Sequence, residues 1–465
     1  MGELWQESAS ALAAMIASGE TSSHEVAQSH LDRIGAVNHD VNAVVEVRAN
    51  EVLRDADAAD ARRARGEELG ALHGVPFTVK VNIDVAGYAT NEGCESLRDF
   101  VANEDAPSVE RMRRAGAVML ARTNMPDMGL RLNTESSLYG ATHNPWRRGL
   151  SAGGSSGGEA SAIASGMSPI GLGNDIGGSL RNPAFACGVA SIKPSRGRVP
   201  QGNPSSPIEM AIDSQIMLAE GPLARHVGDL RRGLVSLMGA HRRDPQSVDV
   251  QFVGPELPRR VALVAEAPGG DTDPAIADGV RSAGRALEAA GYQVEEVDPP
   301  MFFEACLAWA ELVWSGISII EPLLLETMGA GGRRFLELTD VGFEPATAES
   351  VALMHQGRYR VARAWREFLS TYPLIVGPTW THFPFELGSD IRDQASALRV
   401  VEIARFVLPA NLLGLPAVCV PTGIVDGLPT GAQIIGDLYR DDVCLDAAEV
   451  VERALGVLTP IDPRS

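Results

Sequence analysis

The chain has 465 residues, a hydrophobic content of 45%, a charged content of 22% and a formal net charge of −20. This length and composition predict a globular protein with a large buried core. The acidic surplus argues against a nucleic acid or an anionic membrane surface as partner, because both would be repelled.

Targeting and metal signals are missing from the sequence. The start, MGELWQESAS, has neither the basic nor the apolar segment of a secretory signal. The sequence also contains no run of about 18 uninterrupted apolar residues, so we expect no membrane span. Five cysteines without Cys-x-x-Cys spacing indicate reduced thiols, and the nine histidines form no metal-binding pair. We therefore expect a cytoplasmic protein without a metal or another cofactor.

The first 200 residues predict helices followed by strands. Residues 5–65 carry helical signals, which Gly70 closes. The apolar run GVPFTVKVNID predicts a buried strand with Lys80 at its end. The segment SVERMRRAGAVMLARTNM predicts a helix that stops at Gly116 and is followed by a strand. GVASIKPSRGRV is a further strand-like run, which Pro194 interrupts.

The second half predicts an α/β sheet. From Arg259 a strand, a helix and a strand alternate, which is typical of crossover connections in such a sheet. Residues 301–370 read as mostly helical, YPLIVGPT, PAVCVPTG and GAQIIG as central strands, and 440–455 as a closing helix. Because no long polar linker is present, we expect one large domain, 1–465, with an N-terminal helical part at 1–70 and a helical excursion at 301–370.

Lysine is almost absent from the chain. Only Lys80 and Lys193 occur among 40 basic residues. Lysine can lose its proton where the surroundings disfavour the charge, whereas arginine cannot. Lys80 is therefore a candidate base, while Lys193 in SIKPSRGR reads as a structural residue that pairs with loop carbonyls or a carboxylate.

The stretch from Gly149 to Ala184, rich in serine and glycine, has several possible interpretations. A linker would be polar, but Ala160–Gly173 is uncharged and apolar enough to be buried, as a helix followed by a strand. A phosphate-binding loop would need a Lys and a Ser or Thr after the glycines, where this chain has Glu159.

A nucleophile elbow is a third interpretation of the stretch. Gly153–Gly157 matches the G-x-S-x-G pattern of α/β-hydrolases, with Ser155 as the nucleophile. No strand pattern leads into Ser155, so the match is weak. The histidines available for such a triad are His226, His241, His355 and His382.

The fourth interpretation uses GGSSGG and DIGGS together. Glycines around a serine let consecutive amides converge on one point, as in an oxyanion site. A serine beside them becomes a nucleophile only if a base takes its proton. Neutral Lys80, acting through a second serine, is a candidate for that base.

These segments resemble the amidase signature hydrolases. The resemblance runs from about Leu72 to Arg198 and rests on LHGVPFTVK, ARTNMPDMG, ATHNPW, SAGGSSGG, GNDIGGSLRNPA and CGVASIKPSRGR, in that order. It implies an α/β fold with a central mixed, twisted β-sheet covered by helices on both faces, and a catalytic signature core at 72–198. It also implies a pocket diversified by residues 301–370.

The resemblance implies roles for individual residues. Ser179 would be the nucleophile, Ser155 a bridging serine, commonly preceded by a cis peptide in this family, and Lys80 the base. Further roles follow by motif position: oxyanion amides at Ile176, Gly177, Gly178 and Ser179; supporting groups Ser156, Asp175 and Arg181; and substrate-binding residues Met128, Gly129, Leu130 and Arg131. We expect burial and a neighbouring cation such as Arg181 to lower the pKa of Lys80.

One position departs from the family pattern. Many members read V-K-D-N where this chain has Val79-Lys80-Val81-Asn82. Lys80 is kept, so only its hydrogen-bonding partners are expected to differ.

The implied activity is hydrolysis of the C–N bond of an aryl or alkyl amide, an anilide or a hydrazide through an acyl-enzyme. The alternatives are the amidase (glutaminase) subunit of a tRNA-dependent amidotransferase, an esterase with a Ser-His-Asp triad, and a non-catalytic scaffold. A homodimer is left open, and the expected partner is a small-molecule amide or hydrazide. Cys187 reads as a buried thiol, and the aromatic residues Trp309, Trp314, Trp380 and Phe383 as either core or pocket.

Overall fold

The computed structural model describes residues 3–206, 209–343 and 346–464. Its strands are β1 Val44–Glu46, β2 Pro76–Lys80, β3 Val118–Thr123, β4 Glu135–Ser136, β5 Gly140–Ala141, β6 Ile170–Asp175, β7 Ala190–Lys193, β8 Ala219–Ala224, β9 Arg260–Leu263, β10 Gln293–Glu296, β11 Leu374–Pro378, β12 Ala417–Val425 and β13 Leu428–Gly436.

The helices alternate with these strands along most of the chain. They are α1 Ala9–Ser18, α2 Ser23–Val41, α3 Ala49–Ala64, α4 Pro107–Arg114, α5 Gly157–Ala164, α6 Arg181–Cys187, α7 Ile212–Met217, α8 Val227–Leu237, α9 Pro274–Ala289, α10 Phe302–Thr327, α11 Ala330–Thr339, α12 Ala348–Thr371, α13 Gln394–Ile403, α14 Leu408–Leu412 and α15 Asp441–Leu455. Short 3₁₀ helices occupy Leu4–Gln6, Glu95–Leu97, Asp127–Gly129, Ser389–Ile391 and Arg405–Val407.

Eleven strands form one mixed sheet in the order β1-β3-β2-β6-β8-β7-β12-β13-β11-β9-β10. Strand β2 runs parallel to both β3 and β6, whereas β6 runs antiparallel to β8. At the other end, β9 runs parallel to β10 and β11. The predicted strand–helix–strand unit after Arg259 is confirmed, and β4 and β5 form a separate hairpin.

Alternating strand residues bury both faces of the sheet, as the period of two in a strand requires. Val376, Val418 and Ile434 pack in one large core cluster with residues of α8, α9 and α15. Ile375 and Ile435 face the opposite side, where they pack with residues of α10 and α12. The expected α/β fold with helices on both faces of a mixed sheet is thus confirmed.

Local sequence signals explain several helix ends. Ser22 and Glu25 form a capping box at α2, and Thr347 with Ser350 does the same at α12. Asp273 caps α9, which has Pro274 at its first position. The mostly helical character predicted for 301–370 corresponds to α10, α11 and α12.

Helix α10 is 26 residues long and has a mean hydropathy of 1.4 over its most apolar 18 residues. By length and composition alone it could cross a membrane, and it is the one such helix in the described part of the chain. One face packs into the core through residues such as Leu312, while Phe303 and Ile319 are exposed. We therefore describe it as a packed helix of this fold, with an apolar outer face.

Candidate active site

Two adjacent parallel strands bring the polar candidates together. Lys80 is the last residue of β2, and Asn174 and Asp175 end β6. Because β2 and β6 are hydrogen-bonded neighbours that run in the same direction, their carboxyl ends meet at one edge of the sheet. Ser155 lies in the loop that leads into α5, two residues before that helix begins, and Ser179 lies just before α6. The fold therefore positions all three predicted catalytic side chains near one edge.

The Lys80 amine is fully buried and has neutral hydrogen-bond partners. Its Nζ lies 2.7 Å from Ser155 Oγ and 2.7 Å from Asn174 Oδ1. Burial lowers the pKa of Lys80 to about 7, although the carboxylates of Glu92 and Asp175 act in the opposite direction. An amine with this pKa is neutral about half of the time at pH 7.

Arg181, which was expected to help lower the pKa of Lys80, is not among the groups that act most strongly on it. Arg181 forms a buried ion pair with Asp175, with Nη2–Oδ1 at 2.9 Å, so its charge is largely compensated. Desolvation is instead the dominant cause, and the charged groups that act most strongly on Lys80 are carboxylates.

The predicted serines lie on the two glycine-rich loops. The Gly154–Ser155 peptide is cis, as the resemblance implied. The Ser156 amide donates to the Ser179 carbonyl at 3.2 Å, which ties the loops together. Within the described residues, no hydrogen bond joins the Ser155 and Ser179 hydroxyls, and the buried Ser156 hydroxyl has no partner.

The Gly178 amide does not fit its predicted role in the oxyanion site. It donates to Asp175 Oδ1 at 2.8 Å, and the Leu180 amide donates to the other oxygen of the same carboxylate. For the amides of Ile176, Gly177 and Ser179 no acceptor is found among the residues described. Three of the four expected donors thus remain. Gly178 itself has φ +93°, and a Cβ there would lie 2.5 Å from the Asn182 side chain, so the loop requires glycine.

Asp175 and Arg181 form a buried network behind this loop. Arg181 also donates to the Val407 carbonyl, to Asn411 and to Gln433. Burial disfavours the Asp175 carboxylate, but Arg181 and further donors more than offset it, and they hold the pKa of Asp175 well below its usual range. The two residues thus shape the loop that carries Ser179.

A cavity of about 590 Å³ opens beside these groups. It is lined by Ser155, Ser179 and Asn174, and also by Met128, Gly129 and Leu130, which were predicted to bind substrate. An apolar wall faces the cavity from α10, where Val313, Ile317, Ile320 and Leu324 follow helical spacing. A cavity of this size suits a drug-sized molecule.

Arg131 was wrongly expected to bind substrate. It is not part of the cavity wall but buried, and it forms a two-point ion pair with Asp390, both contacts at 2.8 Å. A further contact of 3.0 Å joins it to Glu135. Arg131 therefore anchors the segment that carries Met128–Leu130 and does not line the cavity itself.

Several acidic residues of the site were not predicted from the sequence. Glu92 and Glu220 line the cavity, and burial raises the pKa of each to about 7. Glu159 is fully buried, accepts hydrogen bonds from Thr78 and Thr123, and interacts electrostatically with Lys80. Burial raises its pKa to about 7 as well. Of these three residues, only Glu159 could have been singled out from the sequence, because it directly follows the GGSSGG motif.

The remaining candidates take structural positions. Burial raises the pKa of the Cys187 thiol, and Lys193, also buried, donates to the Pro194 carbonyl at 2.9 Å. Trp309 donates to the Ile176 carbonyl at 2.7 Å, at the back of the glycine loop, and Trp314 packs near Met128 and Leu130. Trp380 is buried in another core cluster, against which Phe383 and Trp309 pack.

The histidines do not form a triad with Ser155. In the described chain none of His226, His241, His355 and His382 lines the cavity. His241 instead contacts Glu110, and His382 contacts Asp271. The nucleophile-elbow interpretation therefore lacks its base.

Comparison with known proteins agrees with this geometry. The profile of the amidase family matches residues 25–445. The chain belongs to the amidase family. It is 40% identical over 474 residues to an indoleacetamide hydrolase of Bradyrhizobium diazoefficiens, covering 98% of this chain and 88% of that protein. Amide C–N hydrolysis is thus its class of reaction.

Two further relatives show how widely the fold is used. A glutamyl-tRNA(Gln) amidotransferase component of Salinispora arenicola is 32% identical over 503 residues, covering 99% of each chain. The solved structure of a 6-aminohexanoate cyclic dimer hydrolase with its substrate superposes with a TM-score of 0.87, at 27% identity and full coverage of both chains.

Proposed function

We propose that the chain hydrolyses a carboxamide through Lys80, Ser155 and Ser179, with Ser179 as the nucleophile. The observation that carries this proposal is the contact of 2.7 Å between Lys80 Nζ and Ser155 Oγ. The hydrogen-bond partners of Lys80 among the described residues are neutral, so no carboxylate pairs directly with its charged form, and burial favours loss of the proton. An amine in this state can act as a general base.

In the proposed reaction Ser179 Oγ attacks the amide carbonyl as its proton passes through Ser155 to Lys80. The amides of Ile176, Gly177 and Ser179 are the proposed donors to the oxyanion, and each such donor contributes roughly 10²–10³ in rate. The proton returns through Ser155 to the leaving nitrogen, which departs as an amine or as ammonia. Water then attacks the Ser179 ester by the same route and releases the carboxylic acid.

The low pKa of Lys80 supplies much of the reactivity. An ordinary lysine with a pKa near 10.4 is neutral only about 0.04% of the time at pH 7, which corresponds to about 4.6 kcal/mol. With a pKa of about 7, Lys80 avoids almost all of this free-energy cost of deprotonation. Arginine could not take this role, because it stays protonated.

The proposed substrate is the primary amide of an arylacetic acid, of the kind that the indoleacetamide hydrolase relative is named for. The apolar face of α10 and the side chains of Met128 and Leu130 offer a surface for an aromatic acyl group. The hydrazide of the same acid would place the same acyl group there, so hydrazides are proposed as secondary substrates.

Glutamine fits the cavity less well. Its α-carboxylate would need a cation, and the one cation among the described residues of the cavity wall is Arg243. That guanidinium already contacts Glu104 and Glu110 at 2.7 Å each. The glutaminase role in an amidotransferase therefore remains only the second candidate, supported by the relative from Salinispora arenicola.

Formation of the carboxylic acid by the purified chain, measured by chromatography, tests the proposed function, because the amides release ammonia whereas the hydrazide releases hydrazine. Indole-3-acetamide, an aryl hydrazide and glutamine are supplied in parallel, with the Ser179→Ala variant as the control. We expect turnover of the first two substrates and none by the variant. Turnover of glutamine alone would favour the amidotransferase role instead.

The other expectations stay predictions. These are the cytoplasmic location, the homodimer left open above, and the exclusion of a nucleic acid or a membrane as partner.

A further inference from the structure

Most buried charged groups of the cavity wall already have partners. Asp244 accepts from the amides of Gln201 and Gln246 at 3.0 and 2.9 Å. Two buried carboxylates differ from it, because Asp213 Oδ1 and Glu220 Oε2 have no hydrogen-bond partner in the described chain. Both side chains are 4% exposed and both line the cavity.

The two unpaired carboxylates lie at different parts of the cavity. Glu220 is paired across the sheet with Asn174, the partner of Lys80, which places it at the catalytic end. Asp213, in α7, instead packs against Gly316 of α10. Gly316 lies between Val313 and Ile317 in the apolar wall, so Asp213 is the acceptor at the part of the cavity proposed for the acyl group.

The glycine at 316 is what lets the carboxylate approach the helix. A Cβ at this position would lie 2.3 Å from Asp213 Oδ1 and 2.5 Å from its Cγ, closer than any real contact. The wall thus combines apolar side chains of α10 with a carboxylate oxygen that packs against Gly316 and has no hydrogen-bond partner among the described residues. An unpaired buried acceptor is costly for the free protein, and a donor on a bound ligand would satisfy it.

We propose that Asp213 is a specificity-determining residue that accepts a hydrogen bond from an N–H group on the aromatic acyl part of the substrate. The inference rests on the proposed function, and it narrows the substrate class to arylacetamides with a ring N–H, such as an indole. The ring would lie along Val313, Ile317 and Ile320 with its N–H toward the carboxylate. A site built to accept such a donor discriminates strongly against an analogue that lacks it.

The test compares two substrates of nearly equal shape. Indole-3-acetamide carries the ring N–H, and benzothiophene-3-acetamide has sulfur in its place. For the wild-type enzyme we expect kcat/KM for the indole to exceed that for the benzothiophene by at least about tenfold. In the Asp213→Leu variant the ratio should fall to near one, through loss of activity on the indole.

Three controls make the result specific to Asp213. Glu209→Leu removes an exposed acid from the rim of the same cavity and should change both substrates alike. Thermal unfolding of Asp213→Leu should show a folded variant with only a small loss of stability, about 0.3–1 kcal/mol, because an acidic side chain in the first turn of a helix is favourable. Calorimetric binding of both amides to the Ser179→Ala enzyme should show the same preference without any turnover.

Each outcome separates the inference from the proposed function. If both amides are hydrolysed with a ratio within twofold, Asp213 does not read the N–H, and the inference alone fails. The inference also fails if the Asp213→Leu variant keeps the wild-type ratio of kcat/KM for the two amides. It fails equally if Glu220→Gln, and not Asp213→Leu, lowers that ratio to near one. If neither amide is bound or hydrolysed, the proposed arylacetamide substrate is wrong, and this inference falls with it.

Discussion

The amine of Lys80 contacts the hydroxyl of Ser155 at 2.7 Å in a fully buried position, and its second partner is the neutral amide oxygen of Asn174. A charged lysine would normally pair with a carboxylate in such a place. Here the nearest charged groups act only from a distance, and burial dominates. The pair is thus built to hold an amine that can lose its proton near neutral pH.

The pH dependence of kcat/KM follows from the pKa of Lys80. Because burial lowers that pKa to about 7, the amine is neutral above pH 7 and protonated below it. We expect kcat/KM to rise with pH and to level off above a midpoint near 7. Lys80→Arg should be inactive throughout the profile, and a profile without an acidic limb would count against a lysine base.

Replacing Glu92 should move this acidic limb. The negative charge of Glu92 raises the pKa of Lys80, so Glu92→Gln should lower it further and shift the midpoint to lower pH. The pH profile of the variant, measured beside that of the wild type, provides the comparison. Burial raises the pKa of Glu92 itself to about 7, so its carboxylate is charged mainly in the upper half of the profile and the expected shift is modest. An unchanged midpoint would contradict an effect of the Glu92 charge on Lys80.

The Asp175–Arg181 pair should matter for stability as well as for activity. Arg181→Met would leave the buried Asp175 carboxylate without its main partner, which typically costs about 3–5 kcal/mol in the free energy of unfolding. Chemical denaturation measures this loss. Arg334→Met, which removes an exposed ion pair with Glu337, is the matched control and should change stability little.

Arg131 should behave as a structural residue. Arg131→Met leaves the buried Asp390 carboxylate without its ion-pair partner, which should lower the free energy of unfolding by roughly 3–5 kcal/mol. The KM of the folded variant should rise only moderately, by less than about tenfold, because Arg131 does not line the cavity and acts on it only by anchoring Met128–Leu130. The double variant Arg131→Met/Asp390→Leu should recover part of the lost stability, whereas a large rise in KM alone would restore the substrate-binding role.

Much of this fold could be predicted from patterns along the chain. The helix–strand order around Lys80 and the helical character of 301–370 follow from hydrophobic periodicity and from Gly and Pro signals. Strand β8 was missed, because AEGPLA contains glycine and proline, which are rare in central strands. It forms a strand only because β6 and β7 hydrogen-bond to it on either side.

The candidate site was predicted less evenly. The glycine and serine motifs point to the loops at the sheet edge, where backbone geometry demands those residue types. Glu92, Glu220 and Asp213 lie in segments without a motif, and only the fold brings them to the cavity. The roles of Arg131 and of the Gly178 amide depend on their partners in the folded chain. Arg131 pairs with Asp390, and the Gly178 amide donates to Asp175. Local sequence does not encode these contacts.

The identity of the acylated residue tests the central claim most directly. Incubating the enzyme briefly with the 4-nitrophenyl ester of indole-3-acetic acid, quenching in acid and mapping the peptides by mass spectrometry locates the acyl group. We expect one acyl group on Ser179 in the wild type and none in Ser179→Ala, which should also have lost amide hydrolysis. An acyl group on Ser155, or amide hydrolysis that persists in Ser179→Ala, would contradict the account.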